Sequence, residues 1–223
     1  MSDEELVTKI IQREDLYKSF SYLGSPLFNM AVQIYGTNPI LLSAPHAVNQ
    51  KRDNKLKYAE YFTGALAEQL AEDIGCSVIT KQYVDVDLYN DDANYEFSCL
   101  YKDVVSDFIG KNNIKLFVDI HGLAKDKTSS IDIATNYHNN LVHMEILDLL
   151  QIADSSYNKY YKADNNCVMS NYVHDNMNID SLELEINGRY RWFFDDTLEQ
   201  SLQMYKDLRT FLLKSIDFYK VIC

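Results

Sequence analysis

The sequence predicts a layered α/β fold, in which helices cover a mainly parallel or mixed sheet. Short apolar, β-branched runs alternate along the chain with longer segments of helical periodicity, the pattern of strands joined by crossover helices. Seven glycines and three prolines are spread through 223 residues with no Pro/Gly/Ser-rich linker, so a single domain over 1–223 is expected. Two histidines, His46 and His121, each close a strand-like hydrophobic run, where open α/β sheets carry their ligand-binding groups.

The elements follow in order. Residues 4–20 read as a polar opening helix within an N-terminal helical extension, 1–28. Strands are expected at 30–35, 39–44, 77–86, 114–120, 130–134, 167–169 and 181–186, from their β-branched and aliphatic content. Helical spacing covers 55–74, 95–110, 139–151 and 194–220, the last rich in Leu, Phe and Tyr and forming a C-terminal helix.

Composition excludes several classes of function. Against 33 acidic residues stand 21 basic ones, a formal charge of −12, which opposes binding to phosphate backbones or anionic membranes. No apolar stretch reaches the length of a membrane span. Cys76, Cys99, Cys167 and Cys223 form no C-x-x-C pair, and scattered thiols of this kind are expected in a soluble cytoplasmic protein. Neither a G-x-S-x-G elbow nor a phosphate-binding glycine loop is present, which argues against serine-hydrolase and nucleotide-binding readings.

Alternation along residues 116–121 places Phe117, Asp119 and His121 on one face and Leu116, Val118 and Ile120 on the other. Asp119 is thus placed to orient the His121 imidazole, and Gly122 leaves room beside it. Taken alone, the Asp-x-His-Gly strand end also fits a buried, hydrogen-bonded structural histidine. His46 follows Pro45, which ends its strand. Glu60 is read near a helix start, in one stripe with Thr63, Gly64 and Ala67, whose small size lets the helix approach the sheet; a solvated first-turn acid fits it too. Two imidazoles and one carboxylate suit Zn²⁺ and leave a coordination position for water.

In residues 182–186 strict alternation sets Glu183 and Glu185 on one face. If that strand is covered on both sides, its carboxylates need cationic or metal partners. Arg189 and Arg191 follow closely and are candidates for holding an anionic substrate, while Arg52, six residues beyond His46, is a candidate electrophile. Asn94, in Asp91-Asp92-Ala93-Asn94-Tyr95, is a candidate substrate contact and equally a helix N-cap. His138, His143 and His174 are read as outside any site. His138 and His143, five residues apart, do not share a helical face, and His174 lies in a polar loop.

Pro45-His46-Ala47, Glu60 with Thr63-Gly64, Asp119-Ile120-His121-Gly122 and Leu184-Glu185-Ile186-Asn187, in that order over about residues 30–192, resemble the N-formylglutamate amidohydrolase family. That family is similar in fold to zinc carboxypeptidases and the aspartoacylase group. The resemblance implies a phosphorylase/hydrolase-like three-layer α/β/α sandwich and one Zn²⁺ per chain. It implies His46 and His121 as imidazole ligands, Glu60 as carboxylate ligand and Glu185 as general base. The chain departs from the pattern at Asn49, where carboxypeptidases place a ligating glutamate three residues after the first histidine, and at Val48 and Gly122, which replace a glycine and a serine of the family. Glu60 then takes the carboxylate place, with Asp53 as a substitute. The expected activity is hydrolysis of an amide bond in an N-acyl amino acid or related small carboxylate. A peptide or poly-γ-glutamyl bond is the alternative, and a non-catalytic binding protein that kept the fold is the other.

Overall fold

The computed structural model describes residues 1–24, 30–84 and 90–222, apart from the side chain of Asp195. The chain runs α1 (Asp3–Ser19), β1 (Met30–Ile34), β2 (Ile40–Ala44), β3 (Gln50–Arg52), β4 (Lys55–Lys57), α2 (Thr63–Ile74), β5 (Ser77–Lys81), α3 (Leu100–Lys111), β6 (Leu116–Leu123), β7 (Ile131–Ala134), α4 (Glu145–Leu149), β8 (Ser155–Tyr157), α5 (Met169–Met177), β9 (Asp180–Asn187) and α6 (Leu198–Ile222). Seven strands form one mixed sheet in the order β1-β5-β2-β6-β9-β7-β8, and β3 and β4 form a separate hairpin. The central strands β5, β2, β6 and β9 run parallel, with β1 and β7 antiparallel to their inner neighbours.

Both faces of the sheet are covered, as the expected sandwich requires. On one side Leu42, Val118, Ile120, Leu182 and Leu184 pack with Leu66 and Leu70 of α2 and Leu208 and Phe211 of α6. Leu6, Ile10 and Tyr17 of α1 join the same core, so the N-terminal helix is packed into it. On the other side Leu41, Ile79 and Phe117 meet Tyr101 and Val105 of α3 and Met169 and Val173 of α5. Near the carboxyl ends of the strands this second face turns polar. Ser43 pairs with Asp119, Asp119 with Glu183, and His121 with Glu185 in register, and paired residues project to the same side.

Local structure departs from expectation in several places, two of them for a clear tertiary reason. Residues 55–57 are strand because Asp53 and Asn54, both at positive φ, make the tight turn that closes a two-residue hairpin. Helix α2 therefore begins only at Thr63, and Glu60 lies in the turn before it. The segment at 167–169 opens α5, because Asn94 Oδ1 accepts from the Met169 backbone N–H at 3.0 Å and caps a helix that its own sequence does not cap. The helix expected over 139–151 shortens to α4, and β5 ends at Lys81, with residues 85–86 of its expected extent outside the described residues.

Two glycines set distances around the polar end. A Cβ on Gly64 would stand 2.7 Å from Ala47 Cβ and from the Tyr17 ring, so only glycine allows α2 to lie this close to the residue after His46. A Cβ on Gly122 would meet the Arg191 guanidinium at 2.6 Å. The room beside His121 is thus occupied by an arginine.

Candidate metal centre

His46 leaves the end of β2 in a turn and is 3% exposed, and its backbone carbonyl accepts from Glu60 N–H at 2.9 Å. That bond brings Glu60 over the strand ends. The 60–62 turn is secured further by Glu14 of α1, whose carboxylate accepts from Phe62 N–H at 2.9 Å. Arg191 holds it as well, donating to the Tyr61 carbonyl. His121 comes from β6 itself and is 1% exposed.

Three donor atoms converge here. His46 Nδ1 lies 3.0 Å from His121 Nδ1 and 2.9 Å from Glu60 Oε1, and His121 Nδ1 lies 3.2 Å from Glu60 Oε2. The opposite nitrogen of each ring is held by a buried carboxylate. His46 Nε2 meets Asp92 at 3.0 Å, and His121 Nε2 meets Asp119 at 2.8 Å. A neutral imidazole that donates from Nε2 has its lone pair on Nδ1, so in that form two lone pairs and a carboxylate face one another. Such a group is stable around a cation, and tetrahedral Zn²⁺ with bonds of about 2.0–2.1 Å spaces its ligands roughly 3.3 Å apart, close to the separations observed.

The electrostatic surroundings favour a cation. Asp92, Asp119, Glu183 and Glu185 are all at most 5% exposed, and Asp119 Oδ1 has no hydrogen-bond partner among the described residues. Burial, with Glu60 and Glu183 nearby, pushes Glu185 well above the usual carboxylate range. Burial, with Asp119 adding to it, pushes Glu183 up to about 7. Glu60 goes the other way: burial opposes its charge, but His46, His121 and Lys57 hold it well below that range. Burial likewise opposes a charged His121, and Asp119 and Glu60 outweigh it and raise it.

The other sequence-nominated residues separate into two groups. Arg52 lines the cleft, held by Asp92 through Nε at 2.9 Å and Nη2 at 2.6 Å and lying over the Tyr95 ring. Asn94 also lines it, donating to Glu183 Oε1 at 2.6 Å. It does not cap α3, whose N-cap is Cys99. Arg189 and Arg191 are not brought to the cleft. Arg189 is exposed. Arg191 is spent on the Ile186 and Tyr61 carbonyls behind Gly122. The substitute ligand Asp53 sits at the hairpin tip, where it accepts from Tyr95 Oη. His138 pairs with Thr135, His143 with Asp180, and His174, within α5 rather than a loop, with the Ile179 carbonyl.

Sequence reasoning did not nominate Asp92 or Lys57. Asp92 lies two residues before Asn94, but no periodicity ties it to His46. Lys57 Nζ donates to Glu60 Oε1 at 3.0 Å and lies 3.3 Å from His46 Nδ1, a position invisible once 55–62 is read as helix. The cleft above these groups has a volume of about 560 Å³ and a wall formed by Tyr160, Tyr161 and Lys162. Asp132, fully buried, fixes that wall by accepting from the backbone N–H groups of Tyr160 at 2.7 Å and Tyr161 at 3.0 Å.

No family model and no curated protein matches the sequence. Among solved structures, N-formylglutamate amidohydrolase from Ralstonia eutropha is similar with a TM-score of 0.61 at 9% identity, over 87% of this chain and 99% of that one. A bacteriophage poly-gamma-glutamate hydrolase gives 0.50 at 14% identity, over 92% and 97%. A metallo-carboxypeptidase from Burkholderia cenocepacia gives 0.50 at 14%, over 93% and 69%. The chain therefore has the mixed-sheet α/β fold common to these three hydrolases, with its two inward histidines and Glu60 gathered at the carboxyl ends of the central strands.

Proposed function

We propose that this chain is a zinc-dependent amidohydrolase that cleaves the amide bond of an N-acyl amino acid or a related small carboxylate. The observation that carries the reading is the convergence of His46 Nδ1, His121 Nδ1 and Glu60 with both Nε2 atoms anchored on buried aspartates. The fold shared with amide-cleaving proteins supports the same chemistry, and a cleft of about 560 Å³ suits a small ligand.

His46, His121 and Glu60 are the ligands in this reading, and Asp92 and Asp119 fix the two rings. A bound Zn²⁺ would supply Lewis acidity, making water more acidic and drawing electrons from the amide carbonyl. In its ionised form, which a cation bound beside it would favour, Glu185, next to His121 on the neighbouring strand, takes the proton from the attacking water and returns it to the departing nitrogen. Arg52, immobilised by Asp92, stabilises negative charge on the carbonyl oxygen. Lys162 on the cleft wall takes the substrate-carboxylate role for which Arg189 and Arg191 are poorly placed.

Elemental analysis of chelator-free protein, beside His46→Ala and His121→Ala with folding checked, tests the reading. It should find one zinc per chain, lost in both variants. Protein that holds no zinc after reconstitution sinks it. Hydrolysis assays with N-formyl and N-acetyl amino acids, short peptides and poly-γ-glutamate then separate an amidohydrolase from a peptidase, and zinc without hydrolysis of any of them favours a binding protein.

A further inference from the structure

Lys57 approaches the same two groups that a metal would use. Its ammonium donates to Glu60 Oε1 at 3.0 Å and stands 3.3 Å from His46 Nδ1. It arrives from the cleft side, with its side chain 33% exposed. Its backbone belongs to the β3–β4 hairpin, outside the main sheet. That hairpin is fixed where Lys57 pairs with Gln50 and where Asn49 Oδ1 accepts from Ala59 N–H at 2.8 Å. The placement is therefore built by tertiary contacts on both sides of Lys57.

An ion bonded to Glu60 and His46 at about 2.0–2.2 Å shares both of those atoms with the ammonium, so the two positive centres lie no more than about 5 Å apart. Like charges at such a distance disfavour one another, strongly so beside buried groups. Arg52 adds no direct competition, because Asp92 neutralises it at 2.6 Å.

We propose that Lys57 is a competitor cation built into the metal centre, contending with the metal for Glu60 and His46 and so weakening the site's hold on it. The inference rests on the metal reading above. It gives the site a resident positive charge that keeps Glu60 and the two imidazoles together without an ion, and it makes the hairpin that carries Lys57 a determinant of metal affinity. Lys57 acts on the ligands and is not itself a ligand.

The test compares wild type with Lys57→Met and Lys57→Arg, each stripped with chelator and titrated with zinc against a chromophoric chelator. The methionine variant should bind zinc at least about tenfold more tightly than wild type, while arginine, which keeps the charge, stays within about threefold. Melting curves of the stripped proteins give a second readout: Lys57→Met should melt below wild type, because the Glu60 carboxylate loses the ammonium that donates to it at 3.0 Å. Zinc binding in Lys57→Met that is equal to or weaker than wild type overturns the proposal and leaves the metal reading standing. Zinc bound by none of the proteins overturns the metal reading and the proposal with it.

Discussion

His46, in the turn after β2, and His121 of β6 lie 75 residues apart in sequence and meet edge to face, ring centroids 4.6 Å apart at 74°, with their Nδ1 atoms 3.0 Å from one another. The contact is meaningful because of what lies behind each ring. Asp92 and Asp119 both take the outer nitrogen, so the pair is oriented from outside, and its inner edge is left for a third group.

Loss of that orientation should be measurable without turnover. In Asp119→Asn the side chain keeps its shape and an oxygen acceptor but loses the charge that favours His121 Nε2 as the donor. Zinc affinity should then drop by about 10- to 100-fold, the usual effect of removing a carboxylate behind a ligating histidine. Competition with a chelator of known affinity measures it. An unchanged Kd would mean that Asp119 serves only the fold.

Glu185 should separate chemistry from binding. It is 5% exposed and sits beside His121 in register, but it is not one of the three converging donor groups. Glu185→Gln is expected to retain zinc while turnover on whichever substrate the panel identifies falls by about 10²- to 10⁴-fold. Loss of zinc in this variant would make Glu185 a ligand instead, and full activity would remove it from the mechanism.

Much of this arrangement was legible because strands report their faces. Asp119 with His121, and Glu183 with Glu185, follow from alternation alone, and the parallel pairing of β6 with β9 then brings the four together. Glu60 was legible as a residue but not as an element, since the Asp53-Asn54 turn converts the expected helix start into a hairpin. The arginines failed for another reason. Position in sequence placed Arg189 and Arg191 near Glu185, but the chain turns after Asn187 and carries Arg191 behind Gly122. Asp92 and Lys57 depend wholly on loops meeting in space, which no local pattern encodes.

Glu14 links stability to pH. Burial raises its carboxyl to about 7, against hydrogen bonds from Phe62 N–H and Tyr22 that favour the charged form. The unfolded group titrates near 4.5, so between these values the native state binds more protons than the unfolded one. Its contribution to stability is complete below about 4.5 and is lost as pH rises through about 7. Glutamine keeps an oxygen acceptor and removes the charge, so Glu14→Gln should exceed wild type by roughly 2–3 kcal/mol at pH 8 and by little at pH 4.5. Melts of both proteins across that range check it, and a gap that does not widen with pH refutes it.

Gly64 is where the fold and the centre are tied most closely. A methyl group there would press on Tyr17, whose hydroxyl donates to Glu68 at 2.6 Å, and on Ala47 beside His46. Alanine gains up to about 1 kcal/mol of helix propensity, and overpacking a filled site costs about 1–3 kcal/mol. Because Ala47 is backbone-adjacent to a proposed ligand and Tyr17 is 5% exposed, neither neighbour can yield freely, so the second effect should win. Gly64→Ala should melt a few degrees below wild type, by about 2–4 °C for each kcal/mol lost, and should bind zinc more weakly because α2 can recover space only by moving away from the 45–48 turn. A variant that melts above wild type with zinc affinity intact would show that the close approach of α2 is incidental to the centre.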